Sequence, residues 1–191
     1  MFQVLFVCHA NQCRSPLAER IARHALADVF GAAVPGVAIT SAGTAAYAGA
    51  PMWPEARQVL AERGIDGGGF VARRAGGDVL AEAGLVLAAG RAQRAACVQE
   101  RPALTQRAFT IRQFARMAAA VPVDGIAGAD PAEGLRRLVE RVNAHRHLVA
   151  AGRPGEDELA DPVGRPVEAF RDCADELERA WGTVVRIIAG S

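Results

Sequence analysis

Val4-Leu5-Phe6-Val7-Cys8-His9-Ala10-Asn11-Gln12-Cys13-Arg14-Ser15-Pro16 is the stretch on which the reading of this chain turns. Val4 to Val7 is a short apolar run, of the kind carried by a strand buried on both faces. Ser15 before Pro16 reads as a helix start, with a hydroxyl at the N-cap and a proline at N1, where its missing N–H costs nothing. Leu17, Ile21 and Ala25 follow at a spacing of four and give that helix an apolar face. The opening unit is therefore strand, tight loop, helix. Ligands of open parallel sheets bind beyond the carboxyl ends of the strands, and Cys8 to Ser15 falls there.

Working outward, Pro35-Gly36 breaks the chain and Val37-Ala38-Ile39-Thr40 reads as a second strand. Pro51 and Pro54 introduce a helix with Val59 and Leu60 inward and Gly64 at its end. Gly67-Gly68-Gly69 is a turn. Leu85 to Ala88 is a third buried run, followed by an arginine-rich helix to about Gln99 and a short fourth strand at Phe109-Thr110-Ile111. Alternating strands and helices predict an α/β fold: one domain over residues 1–191, a four-stranded parallel sheet flanked by helices, and right-handed crossovers. Beyond it, Phe114, Met117, Val121, Leu135, Leu138 and Val142 stand at helical spacings. Pro122 to Pro131 and Gly152 to Glu158 read as polar loops, the second expected to be mobile. The last helix carries Val167, Phe170, Ala174, Leu177, Trp181, Val184 and Ile188 on one face, which should pack on the sheet.

Composition narrows the function. Of 191 residues, 51% are hydrophobic and 23% charged, enough to fill a core and unlike a disordered chain. Twenty-two basic residues, all arginine, against 21 acidic ones leave a formal charge of +1. That balance argues against nucleic acid or a membrane surface as partner. Arg136, Arg137, Arg141 and Arg146 are interleaved with Glu133 and Glu140 and read as a solvated helix face. No apolar run is long enough to span a bilayer, and the N-terminus lacks a signal peptide's layout, so a cytoplasmic location with four reduced cysteines is expected.

The loop itself carries chemistry. Its backbone N–H groups and the helix dipole form a cradle for an anion such as phosphate. Arg14 can offer a planar fork to two oxygens of a tetrahedral oxyanion. Cys8 opens the same cradle, where the dipole and the guanidinium both favour a thiolate nucleophile. Ser15 can hydrogen-bond the sulfur, and Asn11 can hold the turn, because asparagine tolerates a left-handed backbone.

Val4 through Glu19 resembles the signature of the low-molecular-weight protein tyrosine phosphatases almost position for position. Ser41-Ala42-Gly43-Thr44, Gly64-Ile65-Asp66 and Asp161-Pro162 extend the resemblance over most of the chain, with residues about 112–160 as additional helical and loop length. The resemblance implies that Cys8 attacks phosphorus to give a phosphocysteine and that Arg14 binds the equatorial oxygens. It also implies that Asp161 protonates the leaving group and then activates water, a role of about 10²–10⁴-fold in rate. His9, Ala10, Asn11, Gln12, Cys13, Arg14 and Ser15 form the phosphate-binding loop, supported by Ser41. Tyr47 falls where the family has an aromatic wall of the substrate slot. No metal or other cofactor is implied, since Arg14 and backbone donors supply the positive field. The substrate class is a phosphotyrosine protein or a small phosphoester.

Two departures concern the substrate side and the sheet. Val163 and Gly164 follow Asp161-Pro162 where eukaryotic members carry two tyrosines, and Gly84 stands for a usual aspartate. An alternative on the same fold is arsenate reduction with a small-molecule thiol. An intramolecular relay lacks a member, because Cys97 alone lies after the third strand and Cys173 reads as core; Pro16 favours the phosphatase branch. Cys13, in the loop with Cys8, is the expected partner of a reversible protective disulfide.

Overall fold

The computed structural model describes residues 1–31, 34, 36–128, 130–147, 149, 152, 153 and 155–191. Strand β1, Phe2–Cys8, lies between β2, Val37–Gly43, and β3, Ala83–Ala88, and β4, Ala108–Thr110, flanks β3. The sheet order is β2-β1-β3-β4 and every pairing is parallel, as the alternation of elements implies. Leu5 pairs with Thr40 on one side and Val86 on the other. A strand so enclosed has no solvent face, which is why Val4 to Val7 is apolar without alternation.

The pleat sends alternate residues of β1 to two different cores. Val4, Phe6 and Cys8 face the larger one, which is supplied by α1 (Arg14–Phe30), α2 (Pro54–Glu62), α5 (Ile111–Ala120), α6 (Pro131–His145) and α7 (Val167–Ala189). Leu5 and Val7 face the smaller, with Leu80 of α3 (Gly77–Ala81), Cys97 of α4 (Arg91–Glu100) and Leu104 of a 3₁₀ turn. Trp181 of α7 meets Phe6 edge-on at 5.6 Å between ring centroids. Such a pair contributes about 0.5–1.5 kcal/mol beyond the area it buries. The last helix thus packs on the sheet beneath Cys8.

Several boundaries differ from expectation. α1 begins at Arg14 with Cys13 at the N-cap and no side-chain cap, so Ser15 lies inside the first turn rather than capping it. Its hydroxyl is drawn instead to the sulfur of Cys8. β2 runs on through Ser41-Ala42-Gly43. Ile111 belongs to a helix, because Thr110 accepts from Gln113 N at 3.1 Å and Gln113 accepts from Thr110 N, a reciprocal cap that ends the strand. α3 had no counterpart in the sequence reading. The chain break expected at Pro35 lies outside the described residues. Between residues 112 and 160, α5 and α6 bury Phe114, Met117, Leu135, Leu138 and Val142 in the larger core, with Asp130 capping α6. Gly84 is explained by Phe2: a Cβ there would lie 2.7 Å from the ring, so an aspartate does not fit.

Candidate active site

Residues 9–13 join the end of β1 to α1 in a loop whose carbonyls are held from outside. Cys8 O accepts from Thr44 N, His9 O from Ala45 N and Gln12 O from Trp53 N, at 2.9–3.0 Å. Among the described residues, the N–H groups of Ala10, Gln12 and Cys13 donate to no protein acceptor. With the open N–H groups of the first turn of α1, they form the donor array that an oxyanion requires. Asn11 turns the loop at φ 54°, the one positive value outside glycine among the described residues. The neighbouring strand must come very close to permit this. A Cβ on Gly43 would meet His9 O at 2.6 Å and Asn11 N at 2.7 Å, so only glycine fits there.

Cys8 is 3% exposed at the base of this array. Its sulfur accepts from Ser15 Oγ at 3.0 Å and from Asn11 N at 3.2 Å, the hydrogen-bond environment of a sulfur anion. Behind it, Asn11 Nδ2 donates to Ser15 Oγ at 2.9 Å and to Ser41 Oγ at 3.0 Å, while Asn11 Oδ1 accepts from Arg73 N at 2.8 Å. Ser41 Oγ donates onward to Glu19 Oε2 at 2.6 Å, and Glu19 pairs with Arg23. All of Asn11, Ser15, Ser41 and Glu19 are buried. A buried polar network with every member partnered holds one geometry, and here that geometry aims two donors at sulfur.

Arg14 is 9% exposed. Its Nη1 donates to Leu159 O at 3.3 Å and its Nη2 to Asp161 Oδ2 at 2.5 Å. The segment carrying Asp161 is fixed in turn. Leu159 N donates to Ala89 O, Arg112 Nη1 to Glu158 O, and Glu158 Oε1 accepts from Arg91 N. Asp157, 4% exposed, accepts from Arg91 Nη2 and Arg116 Nη2, each at 2.9 Å. Burial alone would raise its carboxyl, but the hydrogen bonds from Arg116 and Arg91 outweigh it and hold the group below the usual carboxylate range. The end of the loop expected to be mobile is thus tied down by two ion pairs. Nothing in the sequence spacing pointed to Asp157, since its partners are far away along the chain.

The remaining candidates are placed less centrally. His9 is exposed and engages the fold through its carbonyl. Gln12 Nε2 donates to Pro51 O at 3.2 Å. Tyr47 stands 84% exposed, with its carbonyl accepting from Ala50 N, so its ring is not packed into the core. Trp53, which no motif in the sequence singles out, is tied by its backbone to the loop at Gln12 and is 38% exposed. The only hint of it was an aromatic immediately before a helix-opening proline. The thiols of Cys13, Cys97 and Cys173 are all pushed up by burial, Cys97 to about 11 and Cys173 to about 12, with Cys173 and Cys8 adding to the effect at Cys13. A cavity of about 760 Å³ between α2 and the turn at 64–68 borders the loop at Pro51 but contains neither Cys8 nor Arg14. Among the described residues, no cluster of His, Cys, Asp and Glu could hold a metal ion, and no helix is long and apolar enough to cross a membrane.

An anion cradle opened by a hydrogen-bonded thiol is the working part of the cysteine-dependent phosphatases, and that is the class of enzyme to which this chain belongs. Residues 3–125, well over half of the chain, match the family described as low molecular weight phosphotyrosine protein phosphatase, and the protein is a member of that family. A curated relative from Ralstonia solanacearum, named "probable low molecular weight protein-tyrosine-phosphatase EpsP", is 36% identical over 58% of this chain and 71% of its own length. The protein-arginine-phosphatase of Geobacillus stearothermophilus is 27% identical over 93% of this chain and 89% of its own. Among solved structures, the YwlE arginine phosphatase from that organism superposes with a TM-score of 0.69 at 26% identity, over 97% of this chain and 92% of its own. The low molecular weight protein tyrosine phosphatase from T. tengcongensis gives the same score and identity over 97% and 99%.

Proposed function

We propose that the chain hydrolyses phosphotyrosine in proteins, or small aryl phosphates, through a phosphocysteine on Cys8, in a reducing cytoplasmic compartment. The observation that carries this reading is the sulfur of Cys8, which receives Ser15 Oγ and Asn11 N at the base of an open N–H array. Phosphate displaces Asp161 from Arg14, whose fork then takes two equatorial oxygens. Sulfur attacks phosphorus while Asp161, protonated, gives its proton to the departing oxygen. The resulting carboxylate then takes a proton from water as that water attacks the phosphocysteine, releasing phosphate and the Cys8 thiolate.

A second reading, phosphoarginine in proteins, is favoured by one observation: the arginine phosphatase relative aligns along 93% of this chain, the EpsP relative along 58%. Val163 and Gly164 stand where eukaryotic members carry two tyrosines, so that loop offers no aromatic ring that would favour phosphotyrosine over phosphoarginine. The arsenate alternative, which draws on a small-molecule thiol and needs only Cys8, is the less favoured one because the matched family and the relatives named above are phosphatases.

Hydrolysis of para-nitrophenyl phosphate between about pH 5 and 8, without added metal, tests the chemistry. Cys8→Ser is expected to abolish it and Asp161→Asn to lower it at least about tenfold. An inert wild type would refute the phosphatase reading. Side-by-side turnover of a phosphotyrosine peptide and a phosphoarginine protein then chooses the substrate.

A further inference from the structure

A second charged cavity lies outside the site just described. It measures about 510 Å³ and is walled by Arg91 and Arg94 of α4, Gln113 and Arg116 of α5, and Arg146 after α6, with Asp157 beside Arg91 and Arg116. Four guanidinium groups here face one carboxylate. Asp157 engages Arg91 and Arg116, which leaves Arg94 and Arg146 without a carboxylate among the described residues. Arg94 commits only its Nε, to Ala108 O at 2.7 Å. Arg146 commits Nη1 to Thr105 O at 3.4 Å and lies over the Phe109 ring at 4.9 Å. The Nη groups of Arg94, the Nη2 of Arg146 and the amide NH₂ of Gln113 therefore remain as open donors.

Two half-buried like charges on one cavity are unfavourable unless something negative lies between them. The cost is visible in Arg146, whose proton affinity is lowered first by burial and then by the charge of Arg94. On the face of α6, by contrast, Arg136 and Arg137 share Glu133, and on α7 Arg171 pairs with Glu62 and Glu168. The N-terminus of α4 is itself occupied, because Glu158 takes the N–H of Arg91, so the donors in question are side chains on three separate elements. The volume falls within the range of small-ligand sites, while the lining is charged where such sites are usually apolar.

We infer that this cavity binds a small multivalent oxyanion, of the pyrophosphate class, between the free forks of Arg94 and Arg146, with Gln113 as a further donor. Planar guanidinium groups suit phosphoryl oxygens, which they take two at a time. A singly charged anion would leave one of the two arginines unpaired. The site stands apart from the Cys8 loop and does not depend on the phosphatase reading.

Calorimetric titration with inorganic pyrophosphate, at fixed ionic strength, tests the inference. Because the Cys8 loop also binds phosphate, the titration is made on Arg14→Ala, with its fold checked by circular dichroism. One equivalent is expected to bind, and adding Arg94→Ala and Arg146→Ala is expected to weaken binding at least tenfold. No binding to Arg14→Ala, or equal binding after the two further changes, overturns the inference. Should Arg14→Ala not fold, wild type and the Arg94→Ala/Arg146→Ala variant are compared directly. Pyrophosphate should raise the Tm of the wild type by more than that of the variant, whose turnover of para-nitrophenyl phosphate is unchanged. An equal rise in both overturns the inference. ADP binding more tightly than pyrophosphate would assign the anion to a nucleotide, and equal affinity would assign it to the polyphosphate alone.

Discussion

Arg14 Nη2 lies 2.5 Å from Asp161 Oδ2, an ion pair between residues 147 positions apart. One partner opens the first helix, at the end of the loop that Cys8 begins, and the other precedes the last. The same fork that phosphate needs is thus occupied by the side chain expected to donate the proton. Removing the carboxylate should separate the two roles. In Asp161→Asn, kcat for para-nitrophenyl phosphate is expected to fall at least about tenfold. Inhibition by inorganic phosphate should become tighter, because Arg14 no longer has a competitor. Unchanged kcat would remove Asp161 from the chemistry.

Ser15→Ala takes one of two donors from the sulfur and an acceptor from Asn11. A hydrogen bond to a charged group contributes about 1.5–3 kcal/mol. Turnover is therefore expected to drop by about tenfold to a hundredfold. The rate of alkylation of Cys8 by iodoacetate near neutral pH should drop with it, a readout that simple loss of packing would not produce.

Asp157→Asn breaks the anchor of the segment that presents Asp161. The native carboxyl is held below its unfolded value, so its contribution to stability is present above about pH 4, the ordinary carboxylate range, and is lost as pH falls through the depressed value. The variant is expected to be about 2–3 kcal/mol less stable to urea at neutral pH. The gap between the two proteins should close on acidification. A gap constant with pH would mean that packing, not charge, was lost.

Burial holds the thiols of Cys97 and Cys173 at about 11 and 12 and pushes that of Cys13 up as well. Limited iodoacetamide at neutral pH is therefore expected to modify one cysteine, Cys8, and phosphate should protect it. Mass spectrometry of the labelled peptides reads the result, and comparable labelling of Cys97 or Cys173 would contradict it.

Peroxide is expected to convert Cys8 to a sulfenic acid that condenses with the Cys13 thiol, releasing water and forming a disulfide. With enough peroxide to carry an unprotected sulfenic acid on to the sulfinic acid, dithiothreitol should restore activity in the wild type but not in Cys13→Ser.

Part of this molecule was legible from the chain alone. Val4 to Val7 and Leu85 to Ala88 are apolar without alternation, which only strands enclosed on both faces require, and so the parallel sheet could be read directly. The Cys8 to Ser15 loop was equally legible, because its chemistry is local: nucleophile, turn residue, fork and hydroxyl lie within eight positions. Gly43 and Ser41 could be placed near it through family likeness, although the reason for glycine is a contact with His9 and Asn11 that no spacing reveals. Ser15 before Pro16 has the pattern of a cap but lies inside the first turn, since sequence cannot weigh a bond to Cys8 sulfur against one to a backbone N–H. Asp157 has the local sequence of a mobile loop, because its partners, Arg91 and Arg116, belong to other elements of the fold. Local periodicity and turn chemistry act over a few residues, and they determined the strands, the loop and its nucleophile. Ion pairs between distant segments exist only once the chain has closed, so the tertiary structure alone decided that Arg14 meets Asp161 and that Asp157 holds the segment between them.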